Sequence, residues 1–168
     1  MIAKLVVEGK EFDIEILDPK LQELIAPKKK TGYERVRENN YYWTVDTQSN
    51  TYCLTESNDS GDENLYNSAN YYESEVVAGR NARADTLMRQ LRRFAVEHRV
   101  KELSWNIGSS YKWCISYDYH EELLFCHQDI ENRTLGAIYF DSKSHAKLAI
   151  ETFKDELIWY FTEYRDSL

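Results

Sequence analysis

Hydrophobic and polar positions repeat along this chain in two rounds that follow the same order. Residues 40–45 (NYYWTV) and 110–115 (SYKWCI) have the aromatic and β-branched pattern of strands, and they lie 70 positions apart. Residues 70–74 (NYYES) and 138–142 (IYFDS) each lead into a helical pattern, 68 positions apart. A repeat near this length indicates a supersecondary unit that was copied and packed against its copy.

The first round predicts three short strands and one long helix. The runs 33–37, 41–46 and 51–55 are rich in β-prone residues and are separated by turn-prone Asn, Ser and Glu residues. Between residues 75 and 99, apolar side chains recur at spacings of three and four, which predicts an amphipathic helix. Ser74, directly before this pattern, is a natural N-cap.

The second round predicts more strands and a shorter, more aromatic helix. The expected strands are residues 103–107, 111–117, 122–127 and 135–140. Ser142 caps a final helix whose broad apolar face must be buried against a sheet or a partner. The connections between strands are too short for crossovers, so we expect antiparallel pairing.

The first thirty residues carry a separate pattern. Two β-prone runs around Gly9, within residues 2–17, predict a hairpin. Asp18 and Pro19 then predict the start of a short helix that ends near Pro27. The chain is therefore expected to be one compact α+β globule with three parts: an N-terminal hairpin and short helix (1–30), a first β-β-β-α repeat (31–101) and a second β-β-β-β-α repeat (102–168).

The composition favours an ordered cytoplasmic protein. Aromatic residues make up 14% of the 168, which supplies apolar surface for a core although 30% of residues are charged. Cys53, Cys114 and Cys126 lack CxxC spacing and indicate reduced thiols rather than a disulfide framework or a zinc site. We find no signal peptide and no apolar run long enough to span a membrane.

Charge is segregated within a chain of formal net charge −8. Residues 80–101 hold seven basic and two acidic side chains, which points to a site for phosphate, nucleic acid or an acidic protein. Residues 56–75 hold six acids and no Lys or Arg, with a solvated loop expected first and a short helix or strand over 65–72. Such an acidic segment can imitate a nucleic-acid backbone. The residues that we predict to contact a partner are Asp59, Asp62, Glu63, Arg83, Arg89, Arg92 and Arg93.

Both charged segments also have an ordinary interpretation, because charged helix faces and acidic loops are commonly only solvated. The strand aromatics can stack nucleic-acid bases, although they more often form a core. The sequence alone leaves these alternatives open.

No motif for catalysis, a cofactor or a metal stands out. The chain has no Gly-rich phosphate loop, no HExxH and no GxSxG. Residues 58–63 faintly resemble a calcium loop but lack its ligand spacing. Cys126 and His127 are adjacent, so on a strand their side chains point to opposite faces and do not share a metal. We therefore predict no enzyme activity, no cofactor and no metal site; a deep cleft that gathers a histidine, a thiol and a carboxylate would count against a purely surface-binding role.

Three groups of residues carry a resemblance to a known family. They are residues 30–36 (KTGYERV), 82–85 (ARAD) with 91–94 (LRRF), and 138–142 (IYFDS) with 153–157 (FKDEL). These motifs resemble a family of uncharacterised proteins carried by phages and prophages of Gram-positive bacteria, and the similarity covers most of the chain from residue 28 onward. The resemblance implies an accessory protein that acts in the host cytoplasm, with an anti-defence role such as anti-CRISPR inhibition as the plausible class.

Our sequence-based hypothesis is a phage-encoded, non-enzymatic binding protein that inhibits a host defence or regulatory protein by covering its surface. Two alternatives stay open: a nucleic-acid-binding module, and a pocket between the repeats that sequesters a small anionic ligand. We expect a host protein as partner, with nucleic acid second and no membrane contact. The aromatic C-terminal helix packs internally or forms a homodimer.

Overall fold

In the computed structural model, the chain forms two compact units, Met1–Thr31 and Gly32–Leu168. The residues that the structure describes are 2–7, 10–15, 17–19, 30–106, 111–129 and 132–164. Within them, the fold is α+β, built from two-stranded antiparallel sheets and helices.

The smaller unit contains the hairpin that the N-terminal pattern predicts. Strand β1 (Ile2–Val7) pairs antiparallel with β2 (Lys10–Glu15), with Val7 opposite Lys10. Lys4 and Glu11 form an exposed ion pair across the hairpin at 2.7 Å. The short helix expected after Asp18 falls mainly on residues 20–29, which lie outside the described residues.

The first half of the larger unit is a hairpin followed by two helices. Strand β3 (Tyr41–Val45) pairs with β4 (Thr51–Thr55), helix α1 spans Ser60–Asn67, and helix α2 spans Glu75–Glu97. The Ser74 side chain accepts a hydrogen bond from the N–H of Val77, so it is the N-cap of α2, as the sequence predicts.

The second half repeats the order of hairpin and helix. Strand β5 (Lys112–Asp118) pairs with β6 (Leu123–Asp129), and the helices that follow are α3 (Lys143–Thr152), α4 (Lys154–Trp159) and a π-helical turn (Tyr160–Tyr164). The side chain of Ser142 caps α3 by accepting the N–H of His145.

Each hairpin also meets the segment that precedes its main helix. Trp43 on β3 forms an isolated antiparallel bridge with Tyr72, and Trp113 on β5 forms one with Phe140. In both halves the N-cap serine comes two residues after the bridge. The same local arrangement therefore occurs twice in the larger unit.

The strands are fewer than the sequence predicts. Residues 33–37 form no strand; they are held instead by side chains, with Arg35 bonded to Glu56 and the N–H of Val36 donating to the hydroxyl of Tyr71. Residues 135–140 contribute only the bridge at Phe140. Residues 103–106 are irregular, and the rest of that predicted strand lies outside the described residues.

The final helix is also interrupted. Phe153 ends α3 and precedes α4, with φ −115° and ψ 23°, so the single helix predicted after Ser142 is two short ones. The ring centres of Phe153 and of Phe94 on α2 are 5.6 Å apart, in an edge-on arrangement. This packing of an aromatic ring against the core stabilises the interrupted helix. The side chains of Leu157 and Trp159 on α4 are buried within the unit.

One core joins the two halves of the larger unit. The buried cluster consists of Leu87, Leu91, Phe94 and Ala95 from α2 together with Phe140, Ala146, Ala149 and Leu157 from the second half. Trp113, Ile115 and Cys126 pack against this cluster from one face of the β5–β6 hairpin. The second half therefore buries its apolar residues against α2 of the first half.

Among the described helices, none combines the length and the apolar character needed to cross a membrane.

Candidate functional site

The β5–β6 hairpin brings together three side chains that are separated in sequence. Cys114 on β5 lies directly opposite His127 on β6, and Lys112 lies opposite Asp129. Because side chains alternate between the two faces of a strand, Cys114 shares a face with His127 and Asp129, whereas Cys126 points to the core on the other face. The expectation that Cys126 and His127 point apart is consistent with this arrangement, but the sequence did not indicate Cys114 as the partner of His127.

The imidazole of His127 is held at both ring nitrogens. Its Nε2 lies 2.9 Å from the Cys114 Sγ, and its Nδ1 lies 2.9 Å from the Ser116 Oγ. The Cys114 Sγ is also 3.6 Å from Nδ1, so the sulfur lies over the imidazole ring rather than in line with the Nε2 lone pair, and the donor and acceptor roles in these contacts depend on which ring nitrogen carries the proton. The ring is therefore oriented by two contacts from the neighbouring strand.

A carboxylate completes the cluster. The Asp129 Oδ2 is 3.8 Å from the Cys114 Sγ and 3.7 Å from the His127 Nε2. The hydroxyl of Tyr139 donates to the same oxygen at 3.4 Å. Lys112, opposite Asp129, is fully buried, and its ammonium lies 4.7 Å from the centre of the Trp105 ring.

Burial controls the chemistry of the thiol. Only 4% of Cys114 is exposed, and burial, with the nearby Asp129 carboxylate, raises the pKa of the thiol to about 12. A protonated thiol is a poor nucleophile, since the thiolate is the reactive form. The geometry of a Cys–His pair is present, but the electrostatics do not match those of an activated cysteine nucleophile.

Cys114 and His127 line a cavity between the two halves of the larger unit. Its volume is about 440 Å³, and α2 contributes Leu87, Met88 and Leu91 to its wall. The remaining walls come from the second half and are largely apolar and aromatic: Ile115, residues 134–138, Phe140, Leu157, Tyr160, Phe161 and Tyr164. Six lining residues carry polar groups, namely Cys114, Ser116, His127, Thr134, Tyr160 and Tyr164, and such a mixture of apolar and polar surface is typical of small-molecule sites.

The acidic residues predicted to meet a partner have internal roles. Asp59 caps α1 through the N–H groups of Gly61 and Asp62. Asp62 is buried and accepts hydrogen bonds from the Tyr42 hydroxyl at 2.6 Å and from Ser57, which hold its pKa well below the ordinary range. Glu63 pairs with Arg35 at 2.5 Å. Helix α1 therefore forms where the sequence predicts an acidic loop. Its carboxylates accept hydrogen bonds from other groups of the first half of the larger unit.

The predicted arginines divide into two groups. Arg83 donates two hydrogen bonds to Glu156, and its guanidinium lies 3.9 Å from the centre of the Trp159 ring, so it links α2 to α4. Arg89 donates to Ser49 and Thr86 but stays exposed. Arg92 and Arg93 are exposed on the solvent side of α2, and Arg93 has only a loose pairing with Glu97 at 3.8 Å.

The comparisons with known proteins found no matching family model, no matching curated protein and no matching solved structure. The site is therefore interpreted from its own geometry.

Proposed function

We propose that the larger unit is a non-enzymatic binding protein that holds a small molecule in the cavity between its halves. The single observation that carries this proposal is the placement of His127, held by Cys114 and Ser116, at a cavity whose other walls are mainly apolar and aromatic. The ligand's apolar body would lie against residues such as Met88 and Tyr160, and its polar end would meet His127.

This proposal develops the hypothesis of a pocket between the repeats. The sequence predicts an anionic ligand. A second cavity of about 710 Å³, at which Ser49, Arg83 and Glu156 meet, does include an Arg, whereas the described residues that line the cavity at His127 include no Arg or Lys. The lining instead favours a mainly apolar molecule with one polar group. The raised pKa of Cys114 supports binding rather than thiolate catalysis.

The test is the binding of an environment-sensitive naphthalene-sulfonate dye, followed by fragment screening with ligand-observed NMR. Ser116→Leu fills the polar end of the cavity and should abolish binding. Ser68→Leu makes the same exchange at an exposed position after α1 and should leave binding unchanged. Equal binding to both variants would refute the cavity as the site.

We propose the inhibition of a host protein as a second candidate function, located on the solvent face of α2. Arg92 and Arg93 are exposed on α2 next to Val96, which is 62% exposed, and Arg89, also exposed, lies nearby where it contacts Ser49. A basic patch around an exposed apolar side chain suits an acidic protein surface, and burying one arginine at such an interface is worth on the order of 2 kcal/mol. A phage-encoded inhibitor acting in the host cytoplasm remains the role that the resemblance suggests.

Partner capture from host lysate tests this second function. Arg92→Glu with Arg93→Glu should lose the captured partner, whereas Lys147→Glu with Lys154→Glu, an equal charge change on the exposed side of α3 and α4, should keep it. A gel-shift assay at low salt tests the nucleic-acid alternative. If the protein binds a phosphate backbone, the shift should appear at low salt and weaken steeply as the salt concentration rises.

The two halves of the larger unit are, in this proposal, copies of one hairpin-and-helix module. The paired bridges at Trp43 and Trp113 and the paired caps at Ser74 and Ser142 support a duplication. The cavity then lies at the junction that the duplication created, where α2 of one copy meets the hairpin of the other.

A further inference from the structure

We propose that Cys114, His127 and Asp129 form a binding site for a zinc-type divalent cation, through the Sγ, Nε2 and Oδ2 atoms. The three atoms lie within 4.8 Å of one another, on one face of the β5–β6 hairpin. The inference rests on the proposed function in one respect: the fourth position on the metal would face the ligand cavity that Cys114 and His127 line.

The spacing of the three atoms is close to what zinc requires. Tetrahedral coordination at ordinary zinc bond lengths places ligand atoms about 3.4–3.6 Å apart. The distances to the Asp129 Oδ2 are 3.7 Å from the His127 Nε2 and 3.8 Å from the Cys114 Sγ. The Sγ–Nε2 distance is 2.9 Å with the sulfur over the ring, so zinc binding requires the imidazole to turn its Nε2 toward the metal and this distance to widen by roughly 0.7 Å.

The surrounding groups orient the ligand atoms. Ser116 contacts the Nδ1 of His127, which leaves Nε2 as the ring nitrogen available to the metal. The Tyr139 hydroxyl donates to the Oδ2 of Asp129. In metalloproteins, hydrogen bonds of this kind orient the residues that bind the metal. They reach the ring nitrogen of a histidine that does not bind the metal, or the carboxylate of an acidic ligand.

The ligand types select the metal. A thiolate and an imidazole favour zinc and similar transition ions over Ca²⁺ and Mg²⁺, which prefer oxygen ligands. On binding, the Cys114 S–H bond breaks, its proton is released to solvent, and the sulfur's electron pair forms the bond to the cation. Three protein ligands with one further position is the arrangement of zinc sites that accept an exogenous ligand.

The experiment is titration of the full chain with Co²⁺, followed by displacement with Zn²⁺. Cobalt bound by a thiolate should give an intense near-ultraviolet charge-transfer band together with tetrahedral visible bands. Cys114→Ser should remove the charge-transfer band. Cys126→Ser, one residue before His127 but on the core-facing side, should keep it. Ser116→Ala should keep the band and weaken Zn²⁺ binding about 10–100-fold.

Two results of this titration would contradict the metal site. Absence of the band in the wild-type chain, or a band that survives Cys114→Ser and disappears in Cys126→Ser, would overturn the inference. If Cys114→Ser does not fold, His127→Gln supplies the same comparison through loss of the tetrahedral visible bands. Dye binding to the metal-free chain is measured in parallel: dye binding without cobalt binding refutes the metal site alone, and cobalt binding without dye binding refutes the cavity function alone.

Discussion

Asp141 joins two parts of the larger unit through one carboxylate. Its Oδ2 accepts the backbone N–H groups of Val100 and Lys101 at 2.7 and 2.9 Å, and its Oδ1 lies 2.6 Å from the Nδ1 of His145. The carboxylate therefore ties the segment after α2 to the start of α3. Burial alone would raise its pKa, but the hydrogen bonds from His145, Lys101 and Val100 outweigh burial and lower it from 3.8 to about 2.

The lowered pKa of Asp141 sets a pH dependence. The ionised carboxylate stabilises the folded state fully above the unfolded-state value of 3.8, and this contribution is lost as the pH falls toward 2. We expect Asp141→Asn to be less stable than the wild type at neutral pH, and the difference to shrink below about pH 4. Urea unfolding at several pH values measures it. Asp85→Asn, at an exposed position on α2, is the control; a difference for Asp141→Asn that does not change with pH would contradict this role.

Helix starts are the features of this fold that the sequence predicts best. Ser74 and Ser142 cap their helices as expected, because a short polar side chain before an apolar period identifies an N-cap from local sequence alone. The β3–β4 and β5–β6 hairpins are also predicted from local sequence. The break at Phe153 could not be predicted, since it depends on the distant ring of Phe94.

Removing either cap should destabilise the unit by a similar amount. Ser74→Ala and Ser142→Ala each leave a helix N–H without its acceptor, and each should lower the free energy of unfolding by about 1 kcal/mol. Chemical denaturation measures the effect, with Ser74→Asp and Ser142→Asp as capping-competent controls. Normal stability of both alanine variants would show that the caps contribute little here.

The candidate site depends on register, which the sequence did not determine. The predicted strands 111–117 and 122–127 place the connection at residues 118–121, but the hairpin closes between Asp118 and Leu123, with Glu122 at φ 51°. Pairing of Cys114 with His127 follows from this observed register. A change of register by one residue would move His127 away from Cys114, which is why inspection of local motifs gave no metal or thiol site.

At the scale of the whole molecule, the two halves of the larger unit share one core. Leu91 is 4% exposed and packs with residues of both halves. Leu91→Ala should therefore lower the free energy of unfolding by about 2–5 kcal/mol, with a single transition. Backbone amide signals from β3–β4 and from β5–β6 report the two halves separately.

Val96→Ala, at an exposed position on the same helix, is the matched control and should change stability by less than about 0.5 kcal/mol. If Leu91→Ala unfolded one hairpin while the other stayed folded, the halves would be independent.

The shared core also determines the position of the candidate site, because the cavity lies where α2 meets the second half. Cys114, His127 and Asp129 act as one centre at that junction. NMR of the ring nitrogens in histidine-labelled chain, before and after an equivalent of Zn²⁺, tests this most directly. We expect a large shift at the Nε2 of His127 alone among the four histidines. Unchanged His127 signals, or a shift at His98, His120 or His145 instead, would contradict it.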